Sequence, residues 1–380
     1  MEEKQGRIHF LDVMRGVAVV VMVMGHSIDS VLSDKARVTE AFRLYDAVRG
    51  FTAPIFLFVA GFAFAVVTVR KWDLYHTWSK PFRSRLSKVL LLFVIGYALH
   101  LPFYSLNKLL SQAGPQDYAQ FFQADVLHCV AFSLLALQVF VMVSRTPRIF
   151  AFVTASVTTL MVLATPIIWS IDFSQHVGPV LAPYFNQSTL SIFPVFPYAG
   201  FMFSGAVIGQ FFLVAHRENK ERKFFTHIVL FGLAAAVCGV VFDLLPITLY
   251  PPHDYWKASP NFFLLRLSAV LFVTTGFFYL RKLPDVFERP VLALGQASLL
   301  VYSAHLVIVY GSAANIGLAQ IVGRVLPYYA AAAVGFVVLC AMVWLTHAWH
   351  YLQKHHEWPS RVVQAGMAST IVYLFFTNPW

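Results

Sequence analysis

Apolar residues in this chain fall in runs of about twenty, separated by short polar segments. A helix that crosses the hydrocarbon core of a bilayer needs about 20 mostly apolar residues. Ten runs approach that length: Phe10–Ile28, Phe51–Val69, Val89–Ser105, Asp125–Val143, Ile149–Trp169, Leu190–Val214, His227–Leu245, Phe262–Leu280, Val291–Gly311 and Pro327–Trp349. A shorter run, Ala365–Phe376, predicts a short eleventh span or an interfacial helix. In lipid the backbone must satisfy its own hydrogen bonds, and runs of this length do so as helices. The predicted fold class is therefore all-α: a polytopic membrane protein of about ten transmembrane helices, forming a single domain over residues 1–380.

The first run breaks its own pattern. It reads RIHFLDVMRGVAVVVMVMGHSID from Arg7 to Asp29, and carries Asp12, Arg15 and His26. An ionisable side chain at membrane depth costs about 3 kcal/mol on insertion scales. At 100° per residue, Asp12, Arg15, Met22 and His26 fall near one stripe. Arg15 and His26 stand about 16 Å apart along the axis, at 1.5 Å per residue. Gly16 and Gly25 remove bulk beside them. One reading is functional, since intramembrane ionisable groups mark pathways and sites. The other is that Asp12 and Arg15 pair at the interface and His26 caps the helix.

Composition agrees with the pattern. The chain is 58% hydrophobic and 12% charged, about half the charge of a soluble domain, and its mean hydropathy is +0.67. The net charge of +10 does not point to nucleic acid, because the basic residues sit mainly in short loops. Alternate loops hold 19 and 8 of the Lys and Arg residues, with Arg15 inside the first run. That asymmetry predicts a cytoplasmic N-terminus. The first run lacks a small-residue cleavage site, so it is expected to be retained. Cys129, Cys238 and Cys340 lie in apolar segments without metal-ligand spacing. The segment Ser27–Gly50 mixes acidic and basic residues and could fold as a short surface helix. Leu245–Asn261, rich in proline and aromatics, reads as an ordered interfacial loop.

Four further stretches carry candidate chemistry. QADVLHC places Asp125 and His128 at i, i+3. The carboxylate could fix the imidazole's tautomer, as in a catalytic triad, or simply cap a helix. In SIFPVFPYAG, Pro194 and Pro197 interrupt the ladder, so Tyr198 either faces a cavity or marks a kink. In GQASLLVYSAHL, Ser298, Tyr302 and His305 share a face. His305 could be a second acid–base group, or the stretch could make interhelical hydrogen bonds. Arg83, Arg85 and Lys88 lead into the third run, where guanidinium forks suit phosphate and equally suit lipid headgroups. There is no nucleotide-binding glycine motif, nucleophile elbow or metal cluster.

These stretches together resemble a known family. LDVMRG followed by MVMGH in the first run is similar to the bacterial branch of the heparan-alpha-glucosaminide N-acetyltransferase catalytic-domain family. That family sits in a transmembrane acyltransferase superfamily with acyltransferase family three. The likeness continues through TAPIFLFVAGFAFAV (Thr52–Val66), QADVLHCVAF (Gln123–Phe132), SIFPVFPYAGFMFSGAVIG (Ser191–Gly209) and, more weakly, SLLVYSAHL (Ser298–Leu306). It implies an acetyl-CoA or other acyl-CoA donor from the cytoplasm and an acceptor, often a carbohydrate, across the membrane. It also implies that the first-helix histidine, here His26, is catalytic. MGH replaces the asparagine-containing spacing of the lysosomal branch, which leaves hydroxyl and amine acceptors both open.

The expectation is a bacterial inner-membrane acyltransferase without a metal. His26 is the base, and the donor phosphates meet Arg83, Arg85, Lys88 and Arg15. Asp125 and His128, or His305, orient the base or bind the acceptor, with Tyr198 and Tyr302 at the substrate. Direct transfer and an acyl-histidine route are both open, as is a homodimer. The competing class is a transporter or flippase, which also uses broken helices and buried charge; no repeat symmetry supports it.

Overall fold

A computed structural model describes residues 8–245, 249–280, 284–312, 314–355, 366, 369–370 and 372–377. The helices in order are α1 (His9–Val31), α2 (Asp34–Arg37), α3 (Glu40–Arg49), α4 (Thr52–Arg70), α5 (Trp72–His76), α6 (Lys80–Leu99), α7 (Leu106–Gln112), α8 (Pro115–Phe122), α9 (Val126–Val143) and α10 (Pro147–Trp169). There follow α11 (Ser174–Leu181), α12 (Val195–Arg217), α13 (Glu221–Leu244), α14 (Tyr255–Ala258), α15 (Pro260–Leu280), α16 (Asp285–Gln296), α17 (Ser298–Tyr310), α18 (Leu318–Val322) and α19 (Tyr328–His355). Among the described residues there is no strand, only two isolated bridge pairs. The protein is an all-α, polytopic integral membrane protein.

Among the described residues, eight helical runs are long and apolar enough to span a bilayer, one of them α3 and α4 taken together as Glu40–Arg70. The expected ten are thus reduced at two places. Val89–Ser105 lies in α6, whose first half carries Lys80, Arg83, Arg85 and Lys88 and whose helix stops at Leu99. Val291–Gly311 is broken: α16 and α17 meet at 87° around Ala297 and count as a ninth span only if taken as one. The break has a packing cause. A Cβ on Gly295 would lie 2.9 Å from the Asp12 carbonyl oxygen and from the Gly16 nitrogen, so the chain passes α1 backbone-to-backbone and turns. Ser27–Gly50 is largely helical, because α1 runs on to Val31 and α2 and α3 follow. In Leu190–Val214 the helix begins at Val195, after Pro194. Ala365–Phe376 lies partly outside the described residues.

The chain divides into two compact units. The first comprises residues 1–11, 53–98 and 122–281. Here α4 and α12 approach through glycines: a Cβ on Gly61 would lie 1.8 Å from the Met202 carbonyl oxygen, and one on Gly205 would lie 2.0 Å from that of Phe58. Small residues at such crossings let backbones touch, which is how helices associate in lipid. A cluster of rings, Phe10, Phe62, Phe212, Phe225 and Phe278, fills the space beside them.

The second unit comprises residues 12–52, 99–121 and 282–380. Most of α1 is its centre. Gly16 admits the Val291 carbonyl of α16, which a Cβ would meet at 2.1 Å, and Gly335 of α19 admits Met24 and Ile28. The end of α1 is strapped by backbone bonds: Leu326 N–H donates to Val31 at 3.0 Å, and Ser33 N–H to Leu326 at 2.9 Å.

Gly61→Ala and Gly205→Ala should each destabilise the protein by about 1–3 kcal/mol, because a backbone atom cannot step aside as a side chain can. Gly276→Ala, with nothing within 4 Å of the new Cβ, should leave thermal unfolding in detergent nearly unchanged. Equal melting temperatures for all three variants would show that the α4–α12 contact is not close.

Candidate active site

Two histidines of the second unit meet. His26, about one and a half turns before the end of α1, places Nδ1 2.9 Å from Nε2 of His305 on α17. The rings lie within 20° of parallel, their centroids 5.1 Å apart. His305 is fully buried, while His26 is only half-buried. The Nδ1 of His305 lies 2.7 Å from the Val301 carbonyl oxygen, one turn back.

These two distances settle the protons of the neutral pair. A carbonyl oxygen only accepts, so Nδ1 of His305 must carry the hydrogen. A neutral imidazole has one N–H, so Nε2 of His305 is an acceptor. The bond to His26 then requires the hydrogen on His26 Nδ1. That leaves Nε2 of His26 with a lone pair, and among the described residues no hydrogen bond uses it.

The surroundings are aromatic and charged. Tyr302 meets His305 edge-on at 5.8 Å, and Tyr310 meets His26 at 6.2 Å. Arg49, at the end of α3, pairs with Asp29 and, at 2.5 Å, with Asp46. Its stem lies where a side chain on Gly25 would be, 3.1 Å from that Cβ position. The Tyr45 hydroxyl donates to the Gly25 carbonyl at 3.3 Å. A side chain on Gly25 would push the Arg49 stem aside by a few tenths of an ångström. Arg49, Tyr45 and Tyr310 were missed in the sequence. The one local signal was Asp46 three residues before Arg49 in a segment read as surface. At the other end of this stretch of α1, Arg15 Nη1 lies 3.7 Å from Asp12.

The remaining candidates lie in the first unit. Asp125 both caps a helix and lies against the His128 imidazole. Asp125 caps α9, accepting from the Leu127 and His128 amides at 2.9 and 3.2 Å, and the same Oδ1 is 2.8 Å from His128 Nδ1. Both are buried. The ring rests on Gly96, where a Cβ would come within 2.7 Å of Cε1. It also meets Tyr97 edge-on at 4.3 Å. The Tyr97 and Tyr184 hydroxyls bond at 2.9 Å; burial, then that bond, pushes the Tyr184 phenol well above its ordinary range, so it stays neutral.

The three candidate cations on α6, Arg83, Arg85 and Lys88, do not converge. Arg83 and Lys88 are exposed, whereas Arg85 turns into the protein. Its guanidinium lies between the rings of Tyr75 and Phe64, at 3.6 and 4.1 Å, and donates to Gln138 at 2.7 Å and Thr68 at 2.9 Å. Stacking and a planar fork are what distinguish arginine from lysine. Tyr198 lines a small cavity with Phe201, Lys257, Phe262 and Arg266, and the peptide bond before Pro197 is cis.

The sequence matches the model of the acyltransferase domain of acyltransferase family three over residues 8–347. This match defines a membrane-embedded acyltransferase, and the chain belongs to acyltransferase family three. It runs through both units and includes His26 and His305. The related family named from the motifs, with its glucosaminide branch, is a narrower placement than the match establishes. No curated protein matches the chain.

Arg85→Lys should keep the charge but lose the stacked plane and one of two charged hydrogen bonds, each worth about 1.5–3 kcal/mol. The melting temperature in detergent should fall by several degrees. Unchanged stability with weakened CoA binding would instead make Arg85 a ligand contact.

Proposed function

We propose that the protein transfers an acyl group, most simply acetyl, from cytoplasmic acyl-CoA to a hydroxyl or amine of an extracytoplasmic acceptor, with His26 as general base. The family match supports acyl transfer. The observation that carries the residue assignment is the Val301–His305–His26 hydrogen-bond chain, which presents a basic nitrogen at His26 Nε2.

The reaction follows from that nitrogen. As the acceptor oxygen or nitrogen attacks the thioester carbonyl, its proton passes to His26 Nε2. The resulting imidazolium keeps its Nδ1 hydrogen bonded to His305, whose neutral ring stabilises the charge. The tetrahedral intermediate collapses, the carbon–sulfur bond breaks, and the CoA thiolate takes the proton back from Nε2. The products are the acylated acceptor and CoA thiol, and His26 is restored. Positioned proton transfer of this kind contributes about 10²–10⁴ in rate. His305 is a positioning residue: it selects the tautomer of His26, as the carboxylate of a serine-protease triad does.

The donor's phosphates need cations at the cytoplasmic surface. Arg83 and Lys88, exposed on α6, suit that role better than the enclosed Arg85. The excess of Lys and Arg on the N-terminal side supports a cytoplasmic N-terminus. His26 then lies toward the far side, where a carbohydrate acceptor would arrive. The resemblance to the glucosaminide branch favours a sugar without choosing between oxygen and nitrogen.

Purified protein with acetyl-CoA and a permeabilised envelope fraction should release CoA thiol. His26→Ala should abolish release while leaving acetyl-CoA binding intact. His305→Ala should lower kcat by about 10²–10⁴ with little change in KM for acetyl-CoA. Full activity of either variant would remove that residue from the mechanism.

A further inference from the structure

Three arginines from three segments of the second unit gather where α1 ends. Arg49 is the enclosed one, matched by Asp29 and Asp46. Arg37, at the end of α2, donates to the backbone carbonyls of Leu32 at 3.4 Å and of Asp29, and sits over the Phe42 ring at 5.4 Å. Carbonyls orient a cation but leave its charge in place. Arg324 precedes Leu326, the residue bonded to Val31 and Ser33, so the strap places it at the same end of α1.

Arg37 and Arg324 share one carboxylate. Asp34 is exposed and lies 3.9 Å from Arg37 and 4.0 Å from Arg324. A solvated ion pair at that distance is weak, worth about 0–1 kcal/mol. Two guanidiniums thus hold a single loose anion between them. Tyr310, whose ring meets His26 edge-on at 6.2 Å, is tied to the Arg324 segment, since its carbonyl accepts from Gln320 at 3.0 Å. A donor hydroxyl and two under-neutralised guanidinium forks are the groups that recognise carboxylate or phosphate. Tyr310 flanks the base, and the two guanidiniums stand at the end of the helix that carries it.

We infer that Arg37, Arg324 and the Tyr310 hydroxyl bind an anionic group of the acceptor, a carboxylate or a phosphate, and so hold its neighbouring hydroxyl or amine toward His26. This rests on the proposed role of His26. It names the acceptor as an anionic sugar rather than a neutral one. An anionic lipid headgroup carries the same chemistry and is the other source of the phosphate.

The test is binding, which does not depend on turnover. Full-length protein in phosphatidylcholine nanodiscs would be titrated with glucose, glucuronate and glucose 6-phosphate, and its thermal shift recorded. Glucuronate and glucose 6-phosphate should stabilise the wild type and glucose should not. Arg324→Gln and Arg37→Gln should weaken that binding at least tenfold, and 0.5 M NaCl should weaken it in the wild type by screening. Arg324 is largely exposed, so Arg324→Gln should melt normally without ligand. His26→Ala should still bind the anionic sugars; if it does and also transfers acyl groups, the base assignment fails and the anion site stands. Repetition in phosphatidylglycerol nanodiscs identifies the source. Arginine-dependent stabilisation by that lipid, with loss of the sugar shifts, assigns the site to a headgroup; persistence of the sugar shifts assigns it to the acceptor. Equal shifts with glucose, no shift with any anion in either lipid, or anion shifts unchanged in both arginine variants would overturn the inference.

Discussion

A hydrogen bond between two imidazoles, one on α1 and one on α17, is the contact on which the functional account depends. Either ring alone would be a costly polar group in an apolar helix. Paired and anchored to the Val301 carbonyl, they form a short chain in which every hydrogen has one place to go. The chain begins at a carbonyl that can only accept and ends at a nitrogen that can take a proton. The ionised partner of a hydrolase triad is absent from this chain of bonds. A neutral imidazole replaces it, which suits a site within a membrane, where a carboxylate would need its own compensation.

The geometry of that bond is held by backbone contacts. Gly16 meets the Val291 carbonyl and Gly295 meets α1 at Asp12 and Gly16, so α16 is seated on α1 before the chain turns into α17. On another side, Gly335 of α19 leaves room for the side chains of Met24 and Ile28, on either side of His26 in sequence. The strap through Leu326 fixes the end of the helix. Contacts made by main-chain atoms do not swing as side chains do. They can keep two rings 279 residues apart in sequence at hydrogen-bond distance. The arginine cluster shares this frame, since Arg324 follows from the strap and Arg49 from the space left by Gly25.

Much of this was legible in the sequence, because length and hydropathy alone define spans and because polar residues in apolar runs stand out. His26, His305, Tyr302 and the Asp125–His128 pair were visible for that reason. Their pairing was not: nothing local says that His26 meets His305 and not His128. The break at Ala297 was hidden because both halves are apolar and its cause, the Gly295 contact, is tertiary. Arg85 was read with Arg83 and Lys88 because charge counts cannot separate a cation that binds ligand from one caged by Phe64, Tyr75, Thr68 and Gln138. Arg49 was read as surface because its helix follows a polar turn, and only the fold brings it against Gly25.

The tautomer of His26 tests the central claim most directly. Nitrogen NMR of protein labelled only at histidine, with His305→Gln used for assignment, reports which ring nitrogens carry hydrogen. The account predicts hydrogen on Nδ1 of both His26 and His305, bare Nε2 nitrogens, and a coupling across the bond between the rings. Hydrogen on Nε2 of neutral His26 would contradict it, since that nitrogen would then have no lone pair with which to take the acceptor's proton.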